Sequence, residues 1–232
     1  MGHYNTSDPE AVEIRKKLEQ LTSMDPAVEL YDVISIEEAE EFEIENDIIL
    51  PEDYVWFITN VGNGGIWRNN YRFYPLGYAG FSCEELPGHF MGTEKYSLPI
   101  LSTGCTYGIG IILEGEHFGE LSYEADDMAV YRPMVVHGFK EFYLKWLEEA
   151  CLGYNGHGVE NRRYGTIEEH LEQYKKDRDI TLLYDICSKV NRGCATGQFV
   201  SAVRSVLKSE KNQENREMLI RILEIIRPKK HG

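Results

Sequence analysis

Cys105 comes nearest to a reactive group in this sequence, since a thiolate beside a histidine base is an activated nucleophile. His117 and His137 lie downstream, where folding could bring either to it. Yet Gly104-Cys105-Thr106 carries no signature of a thiol enzyme, and a small apolar plug ahead of Ile109 accounts for the residue. Glu124, Asp126 and Asp127 could offer oxygens to a hard cation, but they lack the alternating ligand loop closed by a bidentate Glu. They read as a solvated acidic turn. Gly62-Asn63-Gly64-Gly65 has the glycine content of a phosphate cradle, but it follows a helical pattern and no Lys-Ser/Thr comes after it. Glu84-Glu85 and Glu148-Glu149 are paired carboxylates, yet immediate neighbours usually point apart, so surface charge is the better reading.

The five cysteines are odd in number, scattered, and without a Cys-x-x-Cys pair, and the seven histidines are dispersed. Neither a disulfide framework nor a zinc site follows from that spacing. Free thiols in a reducing cytoplasm are expected. No catalytic residue, cofactor or metal ligand is assigned, and the chain is expected not to be an enzyme.

The elements that would position any site announce themselves by caps and periodicity. Ser7-Asp-Pro-Glu10 opens a first helix, with Val12, Ile14, Leu18 and Leu21 as its apolar stripe and Pro26 as its stop. Ser35-Ile-Glu-Glu38 is a second capping box, starting a helix to about Asn46 with Ile36, Ala39 and Phe42 inward. Leu50-Pro51-Glu52-Asp53 starts a third, with Tyr54, Phe57, Ile58 and Val61 as its core face and Gly62, Gly64 and Gly65 as its end. Trp67, Tyr71 and Phe73 then alternate with Arg68, Asn70, Arg72 and Tyr74, as in a half-buried strand.

A loop-rich stretch follows from Pro75 to Glu94, and strands are expected at Tyr96–Leu101, Ile109–Leu113 and Phe118–Tyr123. Glu114-Gly115-Glu116-His117 reads as a short hairpin turn between the last two. A short extended piece at Ala129–Arg132 ends before Pro133, and His137–Ala150 is a helix. Residues 153–165, with Gly153, Gly156, Gly158 and Gly165, read as a linker. Thr166-Ile-Glu-Glu169 then caps the first of several short helices, continued at Ile180–Val190, Phe199–Leu207 and Met218–Ile226.

Charge is distributed unevenly. Residues 1–160 hold 9 Lys+Arg against 29 Asp+Glu, whereas residues 161–232 hold 15 against 10. Ser35 to Asp53 alone carries nine acids and no Lys or Arg. Such a surface repels nucleic-acid phosphates and anionic membranes and attracts basic partners. No apolar run approaches the roughly 20 residues that span a bilayer, and the first ten residues lack the apolar core of an export signal.

Leu50-Pro51-Glu52-Asp53-Tyr54, then Phe57, then Gly62-Asn63-Gly64-Gly65, followed by Tyr74-Pro75-Leu76, resembles the SUKH superfamily. Further pieces agree in order: Gly104-Cys105, Ile111-Ile112-Leu113-Glu114-Gly115, Gly119, and Phe139-x-x-Phe142-x-x-x-Trp146-Leu147. Thr106 and Ser122 depart from the family's usual Gly and Trp. The resemblance covers about Leu30 to Leu152. It implies an α+β fold, a mainly antiparallel sheet flanked by helices, here with an all-α C-terminal extension. The expected domains are 1–152, the linker 153–165, and the extension 166–232.

The resemblance also implies a cytoplasmic immunity protein that binds a cognate bacterial toxin, with a basic nuclease-type effector suiting the acidic surface. A smaller branch of the family resembles fungal cell-wall regulators, which leaves a regulatory scaffold as the second reading. Slow dissociation needs buried aromatic anchors. The expected anchors are Tyr74, Tyr78, Phe81 and Phe90, beside the acids Glu84, Glu85 and Glu94.

Overall fold

The computed structural model describes residues 8–25, 27–66, 71–77, 84–85, 96–104, 107–125, 130–155 and 162–227. These form eight helices and an eight-stranded antiparallel sheet, an α+β protein. Two compact units divide at Leu144/Lys145, inside the helix Phe139–Cys151. The expected boundary, at a glycine-rich linker after Leu152, thus differs from the division between the compact units.

In the first unit, α1 (Pro9–Met24) starts where Asp8 accepts from the N–H groups of Glu10 and Ala11, so Asp8 is the cap. Ala11, Ile14, Leu18 and Leu21 form its buried stripe, and Val12 is only half-buried. The capping box of α2 (Ile36–Asn46) is present in both directions between Ser35 and Glu38. Of its expected inward residues, Ala39 is buried and Phe42 half-buried, but Ile36 is exposed: at the first helical position it lies beyond the reach of the core. In α3 (Glu52–Asn60), Tyr54, Phe57 and Ile58 are buried, as is Val61 beyond it.

The glycine run after α3 has a steric cause. Gly65 passes so close to the neighbouring backbone that a Cβ there would stand 2.3 Å from the Glu29 carbonyl oxygen. This contact lets β1 (Glu29–Leu30) pair with β2 (Gly65–Ile66). Asn63 Oδ1 accepts from the Leu76 N–H at 2.8 Å, so the helix-ending motif and Tyr74-Pro75-Leu76 meet in space. The β2 strand pairs next with β3 (Arg72–Phe73), where Tyr71 and Phe73 are buried and Arg72 and Tyr74 half-buried, as the alternation requires. Trp67, Arg68 and Asn70 lie outside the described residues.

The sheet order is β1-β2-β3-β5-β6-β7-β8, with β4 (Glu84–Glu85) also paired to β5 (Tyr96–Gly104). The stretch expected as loop therefore contributes a short strand. Pro99 cannot donate to the ladder, and the β5 register shifts between Pro99 and Leu101 opposite β6 (Tyr107–Ile112). The shift lets both Ile100 and Leu101 be buried. Residues 113–119 connect β6 to β7 (Glu120–Ala125), a longer turn than expected, with Gly115 and Gly119 at positive φ. The last strand, β8 (Val130–Gly138), runs through Pro133 rather than ending before it. Because β8 pairs only with β7 among the described residues, a proline is tolerated there.

Aromatic packing joins α3, β3 and the start of α4 (Phe139–Cys151). Phe139 meets Tyr54 and Phe57 edge-on at 5.1 and 5.0 Å between centroids, and Phe57 meets Tyr143 at 4.3 Å. Asp53, in the first turn of α3, accepts from the Lys140 N–H at 3.0 Å and so satisfies an orphan donor of α4.

The second unit contains α5 (Ile167–Asp177), α6 (Ile180–Lys189), α7 (Gly197–Ser209) and α8 (Gln213–Ile226). Thr166 and Glu169 form the expected capping box. Ile167, Leu171, Tyr174, Leu183, Ile186, Phe199, Leu219 and Ile222 belong to one buried cluster that also includes Tyr154. Tyr154 hydroxyl accepts from the Ile167 N–H, and Asn155 N–H donates to the Lys189 carbonyl. The described ends of the glycine-rich stretch are thus packed, not loose.

Candidate partner-binding surface

Of the expected anchors, Tyr74 is half-buried, with its N–H donating to the Ile100 carbonyl at 2.9 Å. Glu84 and Glu85 pair through their backbones with Ser97 and Tyr96. The structure thus attaches Tyr74 and the two glutamates to one strand, β5. Tyr78, Phe81, Phe90 and Glu94 lie outside the described residues, as do Cys105, Asp126 and Asp127. His117 Nδ1 is 3.2 Å from Glu120 Oε2, within one turn.

The acid-rich stretch takes a definite form. Along α2, Glu37, Glu38, Glu40, Glu41 and Glu45 are exposed, and Asp47 follows them. Asp47 ends the helix in the left-handed conformation, φ 52°. A β-carbon is disfavoured there, and aspartate is among the few residues that tolerate it. The turn is held by Glu43, whose carbonyl accepts from the Ile48 N–H and whose carboxylate accepts from the Leu50 N–H. The chain then leaves the helix with Ile49 70% exposed, while Ile44 in the last helical turn is 81% exposed.

Across from this turn lies the β6–β7 connection, where a β-carbon on Gly119 would meet the Pro51 ring at 3.6 Å. Between them runs a cleft of about 440 Å³ lined by Asp47, Ile48, Ile49, Leu113, Glu114 and Phe118. Leu113 is buried, whereas Phe118 remains 43% exposed. Neither segment, 35–53 or 113–120, contains a Lys or Arg. The result is an apolar cleft with acids at its rim. Sequence reading passed over Ile44, Ile49 and Phe118. Their signal was weak: apolar residues that fall off the buried periodicity of neighbouring elements.

A second polar assembly lies within the second unit. Glu149 accepts from Lys189 Nζ at 2.8 Å on Oε1 and from Arg162 on Oε2, and the Gly165 N–H also donates to Oε1. Lys189 Nζ faces the carbonyls of Arg163 and Gly165 and lies 3.0 Å from His170 Nε2. Burial pushes the Lys189 ammonium down, against Glu149, which raises it. The His170 imidazole is likewise held down by burial and by Lys189. Both carboxylate oxygens of Glu149 are engaged, and the assembly binds chain segments to one another. Here the sequence did hold a clue, since Lys189 continues the buried spacing of Leu182, Leu183 and Ile186.

Among the described residues, no three His, Cys, Asp or Glu side chains converge as a metal ion would require. No helix of the described residues is long and apolar enough to cross a membrane. The chain matches no protein-family model and no curated protein.

Proposed function

We propose that this chain is a non-catalytic, cytoplasmic immunity protein that binds and neutralises a basic bacterial toxin of nuclease type. The observation that carries the reading is the exposed carboxylate ridge of α2, running into the exposed Ile44 and Ile49. Toxins that attack nucleic acid need basic surfaces to grip phosphates. An acidic ridge attracts such a surface and speeds encounter, while apolar anchors slow dissociation. The motifs that resemble the SUKH superfamily support the same reading, and the contact between Asn63 and Leu76 gives two of them a shared structural role.

The test is co-expression with each candidate secreted toxin found among the genes that neighbour this chain's own. Growth should be restored, and the two purified proteins should form a salt-sensitive complex. Continued killing, with no complex at low salt, would refute the assignment.

A regulatory scaffold is the second reading, favoured by the separate compact unit from Lys145 onward, which holds 16 Lys+Arg against 13 Asp+Glu. Truncation at Asn161 would not test it cleanly, because it strips Glu149 of Arg162 and Lys189. Reversing the exposed Arg204, Lys208 and Arg221 to Glu is the better test. An immunity protein should still protect, whereas a scaffold should lose its partner.

A further inference from the structure

We propose that the cleft between the end of α2 and the β6–β7 connection receives one large apolar side chain of a protein partner, flanked there by lysine or arginine. This inference rests on the toxin-binding reading for the partner's identity, but its chemistry comes from the cleft alone.

Three observations converge on it. The first is exposure against architecture. Ile49 and Phe118 stand open to solvent on opposite walls, although Leu113 beneath them is buried. Neighbouring exposed apolar residues that face one another mark interaction sites more often than isolated ones do. The second is size: about 440 Å³ falls within the roughly 300–1,000 Å³ of ligand-sized pockets. It suits an anchor of leucine or phenylalanine type.

The third observation selects the occupant. Asp47 and Glu114 line the cleft, and Glu45 and Glu116 are exposed close by in the chain. The two contributing segments hold no Lys or Arg, their one histidine, His117, standing 3.2 Å from Glu120. An acidic or neutral partner would leave these carboxylates uncompensated as it displaced their water. A basic one would pair with them at the rim. A second copy of this chain would instead bring carboxylates against carboxylates if the same faces met.

The cleft also has a geometry suited to staying open. Its α2 side is set by the left-handed Asp47 and by two hydrogen bonds to Glu43. Its opposite side is set by Gly115 and Gly119 at positive φ, with the Gly119 N–H donating to the Ile112 carbonyl at 2.8 Å. Both walls are therefore preorganised, which lowers the ordering cost of binding.

The test uses the full chain, labelled with ¹⁵N, and a synthetic lysine-rich peptide carrying one central phenylalanine. Backbone resonance shifts should centre on Ile48, Ile49, Leu113 and Phe118. Replacing the peptide's phenylalanine with serine, or its lysines with glutamates, should each weaken binding by about tenfold or more. Ile49→Asp and Phe118→Ala should do the same, with circular dichroism unchanged because both side chains are exposed. Shifts confined to the carboxylates and indifferent to the serine replacement would overturn the proposal. So would concentration-dependent shifts at Ile49 without peptide, which would show a second copy in the cleft. Protection from the toxin separates the two ideas. If the wild-type chain and Ile49→Asp protect equally, the immunity reading stands and the cleft is not its anchor. If the wild-type chain fails to protect, the immunity reading falls and the peptide titration alone decides the cleft.

Discussion

Lys189 Nζ lies 2.8 Å from Oε1 of Glu149, and both side chains are shielded from solvent. The same carboxylate holds Arg162, whose Nη1 donates to the Asn155 carbonyl. Asn155 N–H in turn donates to the Lys189 carbonyl, closing a ring of contacts around the end of α6. Removing one member of a buried ion pair costs about 3–5 kcal/mol, because the remaining charge is left uncompensated. Glu149→Gln leaves two cations together and should cost the upper part of that range. Lys189→Met leaves Glu149 paired with Arg162 and should cost the lower part. Urea unfolding of each variant, and of the double variant, checks the order.

His170 makes the second unit sensitive to acid. Its imidazole is held below the ordinary value of 6.5, first by burial and then by Lys189, while the Arg163 carbonyl, Asp185 and Glu149 act in the opposite sense. The folded chain therefore binds fewer protons at this site than the unfolded chain does. Stability from this group is full above 6.5 and declines as pH falls through 6.5 toward the lowered value. Asp185, raised by burial, works in the reverse direction as its carboxyl titrates. The relevant measurement is thus a difference: the loss of thermal stability between about pH 7.5 and about pH 5.5 should be smaller in His170→Gln than in the wild type.

Asp47 joins stability to binding. In the left-handed region glycine removes the clash of the β-carbon, although it adds entropy to the unfolded chain. Asp47→Gly should therefore raise stability by about 0.5 kcal/mol. It should also slow association with a basic partner, since a rim carboxylate is lost. Calorimetry and stopped-flow mixing would show the two effects in opposite directions.

Charge reversal separates the two acidic surfaces. Glu40→Lys with Glu41→Lys on α2 should slow toxin association and flatten its dependence on salt. The pair Glu84→Lys with Glu85→Lys, on β4, tests the surface expected from sequence. Unchanged association rates there would assign the interface to α2 alone.

Much of the architecture was legible in the sequence because its signals are local. Ser35 with Glu38, and Thr166 with Glu169, satisfy helix donors within four residues, so their boxes formed where the spacing placed them. The alternation from Tyr71 to Tyr74 likewise needs only the pleat. Other features depended on partners distant along the chain. Glu84 and Glu85 became a strand through β5, and Pro133 was accommodated by a strand pairing only with β7 among the described residues.

The sequence by itself determined the capping boxes at Ser35 and Thr166, the mixture of helices and strands, and the acidity of the first 160 residues, since these follow from caps, periodicity and composition. Only the tertiary structure decided that Lys189 and Glu149 would neutralise each other. It also decided that Ile49 and Phe118 would share an acid-rimmed cleft. The reason is physical: burial and convergence are properties of residues far apart in the chain, and no local pattern encodes which of them will meet.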